Sequence, residues 1–239
     1  DATRNTHLRR FAVKSSQTIR KDAGSELIQY PQHLHLPQEY VVAKMSEFFK
    51  EDLPGGDKTT ENIVPDIAQI TAEIQALEEL VFAGCDVIPY CFGKNCSVSL
   101  KKRDGENIFP GEILSVVKGP AGKILSRERI MLNLIQRLCG IASLSRKFAD
   151  IANPYHVKIL DTRKTTPGLR LFEKYAVAVG GAFNHRLNLS EGILIKDNHI
   201  ISSGSVSAAI KSINKTGTNL PLEVEVDNLD QIREALIIG

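Results

Sequence analysis

The sequence lacks several features that mark large classes of proteins. Its four cysteines, Cys85, Cys91, Cys96 and Cys139, form no Cys-x-x-Cys pair and have no histidine nearby at metal-ligand spacing. A zinc site therefore has little support, and free thiols in a reducing cytoplasm are the simpler interpretation. No apolar run approaches the roughly 18 residues that a membrane span needs. We expect a cytoplasmic protein that has no membrane partner.

A large excess of positive or negative charge and the common nucleotide-binding loops are also missing. The formal net charge is only +2 in 239 residues, so a general nucleic-acid surface is not expected, and a positive field must come from local clustering. The sequence contains no Walker-type loop, no Gly-x-Gly-x-x-Gly and no Gly-x-Ser-x-Gly element. With 42% hydrophobic residues, the chain has enough apolar material for one large or two small cores.

The chain divides into three parts by composition and pattern. Residues 1–37 mix arginine and lysine with serine and threonine, as organelle transit peptides do, but Asp22 and Glu26 interrupt the basic run. We therefore predict a poorly ordered or auxiliary N-terminal extension. Residues 38–139 begin with a helical pattern and continue with short β-like segments separated by Asp104-Gly105 and Pro110-Gly111, which predicts an α+β sandwich domain.

Residues 140–239 follow a different pattern. An apolar helix that begins at Ser126 and ends at Gly140 marks the boundary, and strand-like runs then alternate with helices, which indicates an α/β barrel. The predicted order is a buried strand over 157–160, a helix over 169–179, a strand over 192–195, a helix over 206–213 and a strand over 222–226. A complete (β/α)₈ barrel needs about 200 to 250 residues, so we predict a barrel that is C-terminally incomplete, with residues 236–239 beginning another unit.

Cationic residues follow the predicted strands of this barrel. Arg163 and Lys164 lie on the turn between the strand over 157–160 and the helix that follows it, while His185, Arg186 and Lys196 occupy similar βα positions. Taken singly, each is more simply explained as a surface ion-pair partner. Taken together they predict one anion site, because successive strand ends of a barrel converge on one mouth. Arginine, lysine and histidine together suit a small polyanion.

Three carboxylates alternate along the last predicted strand. Glu223, Glu225 and Asp227 fall on one face and the two valines between them on the other. In a barrel these carboxylates would point inward and meet cations, sugar hydroxyls or a divalent metal. An edge strand with one solvated acidic face explains the pattern equally well, and the sequence alone does not separate the two hypotheses.

Several motifs, taken in this order, resemble those of the quinolinate phosphoribosyltransferases. The resemblance rests on the following segments: 56–60 (Gly-Asp-Lys-Thr-Thr), 104–105 with Gly111, 128–134 with 140–142, 161–170, 184–186, 195–199 and 223–227. It implies transfer of phosphoribose from phosphoribosyl pyrophosphate to quinolinate, with loss of carbon dioxide and pyrophosphate, to give nicotinate mononucleotide for NAD synthesis. It also implies Mg²⁺ as cofactor and a homodimer.

The resemblance assigns roles residue by residue. The quinolinate-binding residues would be Arg163, His185, Arg186 and Lys196, with Arg129 supplied across the dimer interface. Lys164 and Glu225 would act in catalysis by contacting phosphoribosyl pyrophosphate, and Glu225 would also hold the metal.

One departure from the family pattern leaves alternatives open. After Gly239 the sequence shows no aspartate-bearing Leu-Asp-Asn element and no glycine-rich phosphate-binding loops. A non-catalytic truncated fragment that only dimerises or binds anions therefore stays open beside the transferase. A molybdenum-transport-associated relative with another anionic acceptor is a further alternative.

Overall fold

The computed structural model describes residues 30–238. The first region contains helices α1 (Gln38–Asp52), α2 (Lys58–Ile63) and α3 (Ile88–Cys91), and strands β1 (Gln69–Gln75), β2 (Leu80–Val81), β3 (Ser97–Leu100), β4 (Asn107–Ile108) and β5 (Ile113–Pro120). The long helix α4 (Ala121–Ala152) follows. This order of helices and strands confirms the mixed α and β character predicted for the first region.

Antiparallel pairing organises the strands of the first region. β5 lies between β1 and β3, and β2 pairs with β4. Val117 of β5 faces both Ala72 and Val98 and is 1% exposed. The main hydrophobic core gathers side chains from this sheet, from α1 and from α4, so α4 covers the apolar side of the antiparallel strands.

The second region alternates strands and helices. A 3₁₀ turn (Asn153–Tyr155) is followed by α5 (Arg170–Val179), β6 (Ile193–Ile195), α6 (Asp197–Ser203), α7 (Val206–Asn214), β7 (Leu222–Val224) and α8 (Leu229–Ile238). β6 and β7 pair in parallel, and an isolated parallel bridge joins Leu160 to Phe183. A second apolar cluster forms around Ile195 and Val206. This βα alternation agrees with the predicted α/β class.

Helix α4 corrects the predicted helix end at Gly140. The helix continues through this glycine to Ala152, so the predicted boundary between residues 139 and 140 lies inside one helix. A glycine inside a helix costs only about 1 kcal/mol relative to alanine. The buried face resumes beyond it at Ala142, Ala149 and Ala152, and this packing outweighs the local preference.

Two other predictions in the second region need correction. Residues 157–160 are not a buried strand, because only Leu160 forms a bridge and Val157 and Leu160 are 53% and 48% exposed. Residues 236–238 end α8 rather than beginning a new unit.

The turn after α5 depends on its two glycines. A Cβ at Gly180 would lie 2.4 Å from the carbonyl oxygen of Ala142 in α4, and Gly181 has a φ of +92°. At Gly180 the absence of a side chain allows close helix packing. Gly181 has the left-handed backbone conformation that glycine adopts without strain. Together they fix how the chain leaves α5 for the segment around Asn184.

Candidate active site

Two neighbouring strand ends bring the predicted site residues together. The bridge between Leu160 and Phe183 places the loop that begins at Asp161 beside Asn184, and the amide of Asp161 donates to the carbonyl of Phe183 at 2.9 Å. The parallel pair of β6 and β7 places the residues after Ile195 beside Glu225, whose amide donates to Ile195 at 2.8 Å. Carboxyl ends of parallel strands are the usual place for ligand sites in α/β folds.

Three arginines, called here the arginine cluster, lie around the first strand end: Arg163, Arg170 and Arg186. Burial, followed by the charges of Arg170 and Arg186, lowers the pKa of Arg163. Its Nε is buried and has no hydrogen-bond partner among the described residues. A buried donor next to like charges is a costly arrangement, and a bound anion would remove both costs.

The other two arginines are held by neutral acceptors. Arg186 is 5% exposed and donates from Nη1 to the carbonyl of Gly192 at 2.5 Å, while its Nε is also buried without a partner. Arg170 donates to Thr165 at 3.0 Å and to the carbonyl of Leu187 at 3.3 Å. No member of the cluster forms an ion pair with a carboxylate in residues 30–238. The positive charge of the cluster is therefore left for a ligand.

His185 is held at its ring by a carboxylate. Its Nε2 lies 2.9 and 3.0 Å from the two carboxylate oxygens of Glu223, whose Oε1 also accepts the hydroxyl of Tyr30 at 2.7 Å. The rings of Tyr30 and His185 are 4.7 Å apart. For Glu223 this arrangement favours the hypothesis of an inward carboxylate that is paired with other side chains over that of a solvated acidic face.

A buried polar network beneath the site was not predicted from the sequence. Lys174 is 1% exposed, and its Nζ donates to Asp161 at 2.5 Å and to the carbonyl of His185 at 2.9 Å. Asp161 also accepts from the side chain of Asn184 and from the amide of His185, both at 2.8 Å. Burial lowers the pKa of Lys174. The network fixes the backbone of the 184–186 turn from below.

Lys164, Lys196 and Glu225 lie at the open edge of the site. Lys164 is exposed, and the Nζ of Lys196 lies 4.0 Å from Glu225, with both side chains about half exposed. An exposed pair at this distance is weak, so both groups are available to a ligand. The described residues hold no group of three or more His, Cys, Asp or Glu side chains that could bind a metal.

Arg129 lies on α4 and not on the strand ends of the second region. It is exposed on α4 and lines a cleft of about 310 Å³ together with Phe48, Asp52 and Arg137. The same cleft includes Leu169, which directly precedes Arg170. Asp227, the third carboxylate of the predicted acidic face, donates its amide to Gln231 at 2.7 Å. Among the described residues, no helix is both long and apolar enough to cross a bilayer.

Two family models match the chain in succession. Residues 57–139 match the N-terminal domain of quinolinate phosphoribosyl transferase, and residues 141–239 match its C-terminal domain. A probable nicotinate-nucleotide pyrophosphorylase (carboxylating) of Bacillus subtilis is 44% identical over 199 residues, which cover 82% of this chain and 68% of the relative. A quinolinate phosphoribosyltransferase (decarboxylating) of Nicotiana tabacum is 34% identical, with 95% and 66% covered. The chain thus spans about two thirds of the length of these relatives.

Solved structures agree with the sequence comparisons. The nicotinate-nucleotide pyrophosphorylase of Francisella tularensis superposes with a TM-score of 0.82 at 36% identity, covering 88% of this chain and 75% of that one. The corresponding protein of Ehrlichia chaffeensis gives a TM-score of 0.78 at 36% identity, with 84% and 74% covered. At this identity the likeness extends to sequence as well as fold.

Proposed function

Because the chain belongs to the quinolinate phosphoribosyltransferase family, whose members are pentosyltransferases of de novo NAD biosynthesis, we propose that it transfers phosphoribose to quinolinate. The second substrate is phosphoribosyl pyrophosphate, and the products are nicotinate mononucleotide, carbon dioxide and pyrophosphate. The observation that carries the proposal is the arginine cluster, in which two buried Nε atoms have no partner among the described residues. A pyridine dicarboxylate offers two anionic groups to such donors.

The two substrates are assigned to different depths of the site. Arg163 and Arg186, which have buried guanidinium atoms, would bind the quinolinate carboxylates together with His185 and Lys196. Lys164 is adjacent in sequence to Arg163 but exposed, so it would reach the larger phosphoribosyl pyrophosphate from the solvent side. One loop can then address both substrates at the point where they join.

Catalysis by these residues would be mainly electrostatic. Positive charge develops at the anomeric carbon as pyrophosphate departs, and the pyridine nitrogen of quinolinate attacks that carbon. Fixed arginines orient the ring for this attack, and Lys164 would stabilise charge on the leaving group. After the transfer, the cationic pyridinium ring accepts the electron pair that is left when the carboxylate is lost as carbon dioxide.

Magnesium is part of the proposal, with Glu225 as its protein ligand. Mg²⁺ is commonly held by one or two carboxylates together with substrate phosphate oxygens. The half-exposed Glu225 fits that arrangement, because its carboxylate has only a distant lysine at 4.0 Å. When bound, Mg²⁺ would neutralise charge on the pyrophosphate group.

The assembly is proposed to be a homodimer with a partial α/β barrel in each chain. Arg129 would cross the interface to the partner's site, which is supported by its exposure to solvent on α4. A reducing compartment such as the cytoplasm is proposed from the four free cysteines.

A substrate panel tests the reaction. The full-length protein is incubated with phosphoribosyl pyrophosphate, Mg²⁺ and either quinolinate or nicotinate, and carbon dioxide release and nucleotide formation are measured. We expect product only with quinolinate and only when phosphoribosyl pyrophosphate is present. Release of pyrophosphate without quinolinate would count heavily against the proposal.

Complementation tests the role of Arg129. Arg129→Ala and Arg163→Ala proteins should each be inactive, and a mixture allowed to exchange subunits should regain activity, because a mixed dimer can contain one intact site. Mixing two preparations of Arg163→Ala protein is the matched control. No recovery despite demonstrated subunit exchange would contradict an arginine supplied in trans.

A further inference from the structure

Tyr30, in the segment before α1, contacts Glu223 and His185 in the candidate site. We propose that Tyr30 is a positioning residue of the quinolinate site, which holds the ring of His185 in place through Glu223. The inference rests on the proposed function, because it assumes that the His185 ring contacts quinolinate. It also gives a task to part of the N-terminal extension, of which only residues 30–37 are among the described residues.

Glu223 joins the two aromatic side chains. The Tyr30 hydroxyl donates to Oε1 at 2.7 Å, and the Nε2 of His185 lies within 3.0 Å of both carboxylate oxygens. The carboxylate therefore engages Nε2 and leaves Nδ1 as the ring nitrogen open to a ligand. The Tyr30 ring packs on His185 at 4.7 Å and tilts by 51°, so one residue restrains both the face of the imidazole and its acceptor.

Neighbouring residues attach the same segment to the 184–186 turn. Gln32 accepts the amide of Asn184 at 2.7 Å and donates to its carbonyl at 3.1 Å, which engages both backbone groups of one residue. The amide of His33 donates to the Asn184 side chain at 2.7 Å. These three hydrogen bonds attach residues 30–33 to Asn184, the residue that precedes His185. They therefore hold Tyr30 next to the His185 ring.

The position of Tyr30 is closely fitted. Tyr30 is 6% exposed, and a Cβ at Gly192 would lie 2.6 Å from its hydroxyl oxygen. Burial and the Glu223 carboxylate raise the pKa of Tyr30, which keeps the phenol a donor at neutral pH. Phenylalanine would fill the same space, so the hydroxyl is needed only for its hydrogen bond.

Loss of the hydrogen bond between Tyr30 and Glu223 should affect ligand binding, because the Glu223 side chain is not fully enclosed. Its side chain is 29% exposed, and a carboxylate at a partly open site can turn toward water when one of its donors is lost. His185 would then lose its fixed acceptor and sample other orientations. Quinolinate affinity should fall, while phosphoribosyl pyrophosphate, assigned to the exposed Lys164 and Glu225, should bind as before.

Tyr30→Phe in the full-length protein tests the inference. Calorimetry with quinolinate should show an affinity about fivefold weaker than wild type, the effect of losing one hydrogen bond. The KM for phosphoribosyl pyrophosphate should stay within about twofold. In a Glu223→Gln background, Tyr30→Phe should add little, because residues that act through one another are not additive. Tyr40→Phe is the matched control, since Tyr40 lies on α1 and its ring packs on Phe172 of α5.

Each outcome supports or overturns a specific claim. A wild-type protein that does not bind quinolinate would overturn the proposed function itself. Wild-type binding with an unchanged Tyr30→Phe affinity would overturn the positioning role. A Tyr30→Phe protein that loses affinity for both substrates, or that is additive with Glu223→Gln, would show a general structural role and overturn the inference as well.

Discussion

Removing Arg163 should stabilise the unliganded protein while it abolishes quinolinate binding. Arg163 has a buried Nε without a partner among the described residues, and burial, followed by the charges of two further arginines, lowers its pKa. Arg163→Met keeps much of the length of the side chain but removes the buried donor and the repelling charge. A site that is prepared for an anion is unfavourable when empty, so its loss should favour the folded state.

The magnitude follows from the buried donor. A buried polar group without a hydrogen bond costs about 1–3 kcal/mol, and its removal should recover that free energy. Part of the recovered stability is offset because the arginine stem also packs against its neighbours. We expect the free energy of unfolding of unliganded Arg163→Met to exceed that of wild type by about 1 kcal/mol. Quinolinate at 100 times its Kd should stabilise wild type by about 2.7 kcal/mol and the variant by nothing.

Denaturant unfolding at equilibrium, with and without quinolinate, measures both effects. Lys158→Met is the matched control, because Lys158 lies just before the loop and its ammonium is 4.9 Å from the Phe183 ring. An Arg163→Met protein that is less stable than wild type without ligand, yet is stabilised by quinolinate to the same extent, would refute the interpretation of Arg163 as an uncompensated anion ligand.

Two further predictions concern charge pairs elsewhere. Lys174→Met should lower the free energy of unfolding by about 3 kcal/mol, because it leaves the buried Asp161 without its cation, and adding Asp161→Asn should restore part of the loss in the same denaturant assay. Hydrogen bonds from Lys102 and from the Phe109 amide lower the pKa of Glu112 from its ordinary 4.5. Their stabilisation is therefore present above the unfolded pKa and lost as the pH falls through the folded pKa. Lowering the pH should therefore reduce the free energy of unfolding of wild type more than that of Glu112→Gln. An equal pH dependence of the two proteins would contradict this prediction.

Local patterns predicted those elements whose apolar residues recur at a clear spacing. Helix α5 was expected over 169–179 and lies at Arg170–Val179. The apolar residues Phe172, Tyr175, Ala176 and Val179 recur at helical spacing, and Gly180-Gly181 follows the helix. The strand over 192–195 and the helix over 206–213 were found as β6 and α7 for the same reason. The candidate site was predicted from cationic residues that directly follow the predicted strands.

Features that depend on tertiary packing were not predicted. The glycine at position 140 suggested a helix end, but α4 continues because its buried alanines pack beyond it. Residues 157–160 are apolar enough for a strand, yet Val157 and Leu160 stay exposed, since burial depends on which elements cover a segment. A short apolar run alone does not carry that information.

Contacts between distant parts of the chain were also missed. Tyr30 and Glu223 are 193 positions apart, and Gln32 and Asn184 are 152 apart. No local spacing links them. Lys174 falls inside the predicted helix over 169–179, and its role beneath the 184–186 turn depends on Asp161 across the fold. Sequence patterns thus selected cations that the structure brings together, but not the groups that hold them.

Calorimetric comparison of quinolinate with nicotinate on the full-length protein tests the central claim most directly. The two ligands share the pyridine ring and differ by one carboxylate. If the arginine cluster forms a dicarboxylate site, quinolinate should bind about 100-fold more tightly than nicotinate, the effect expected when buried charged donors lose an anionic partner. Equal affinity for the two ligands, or no binding of quinolinate, would contradict the account.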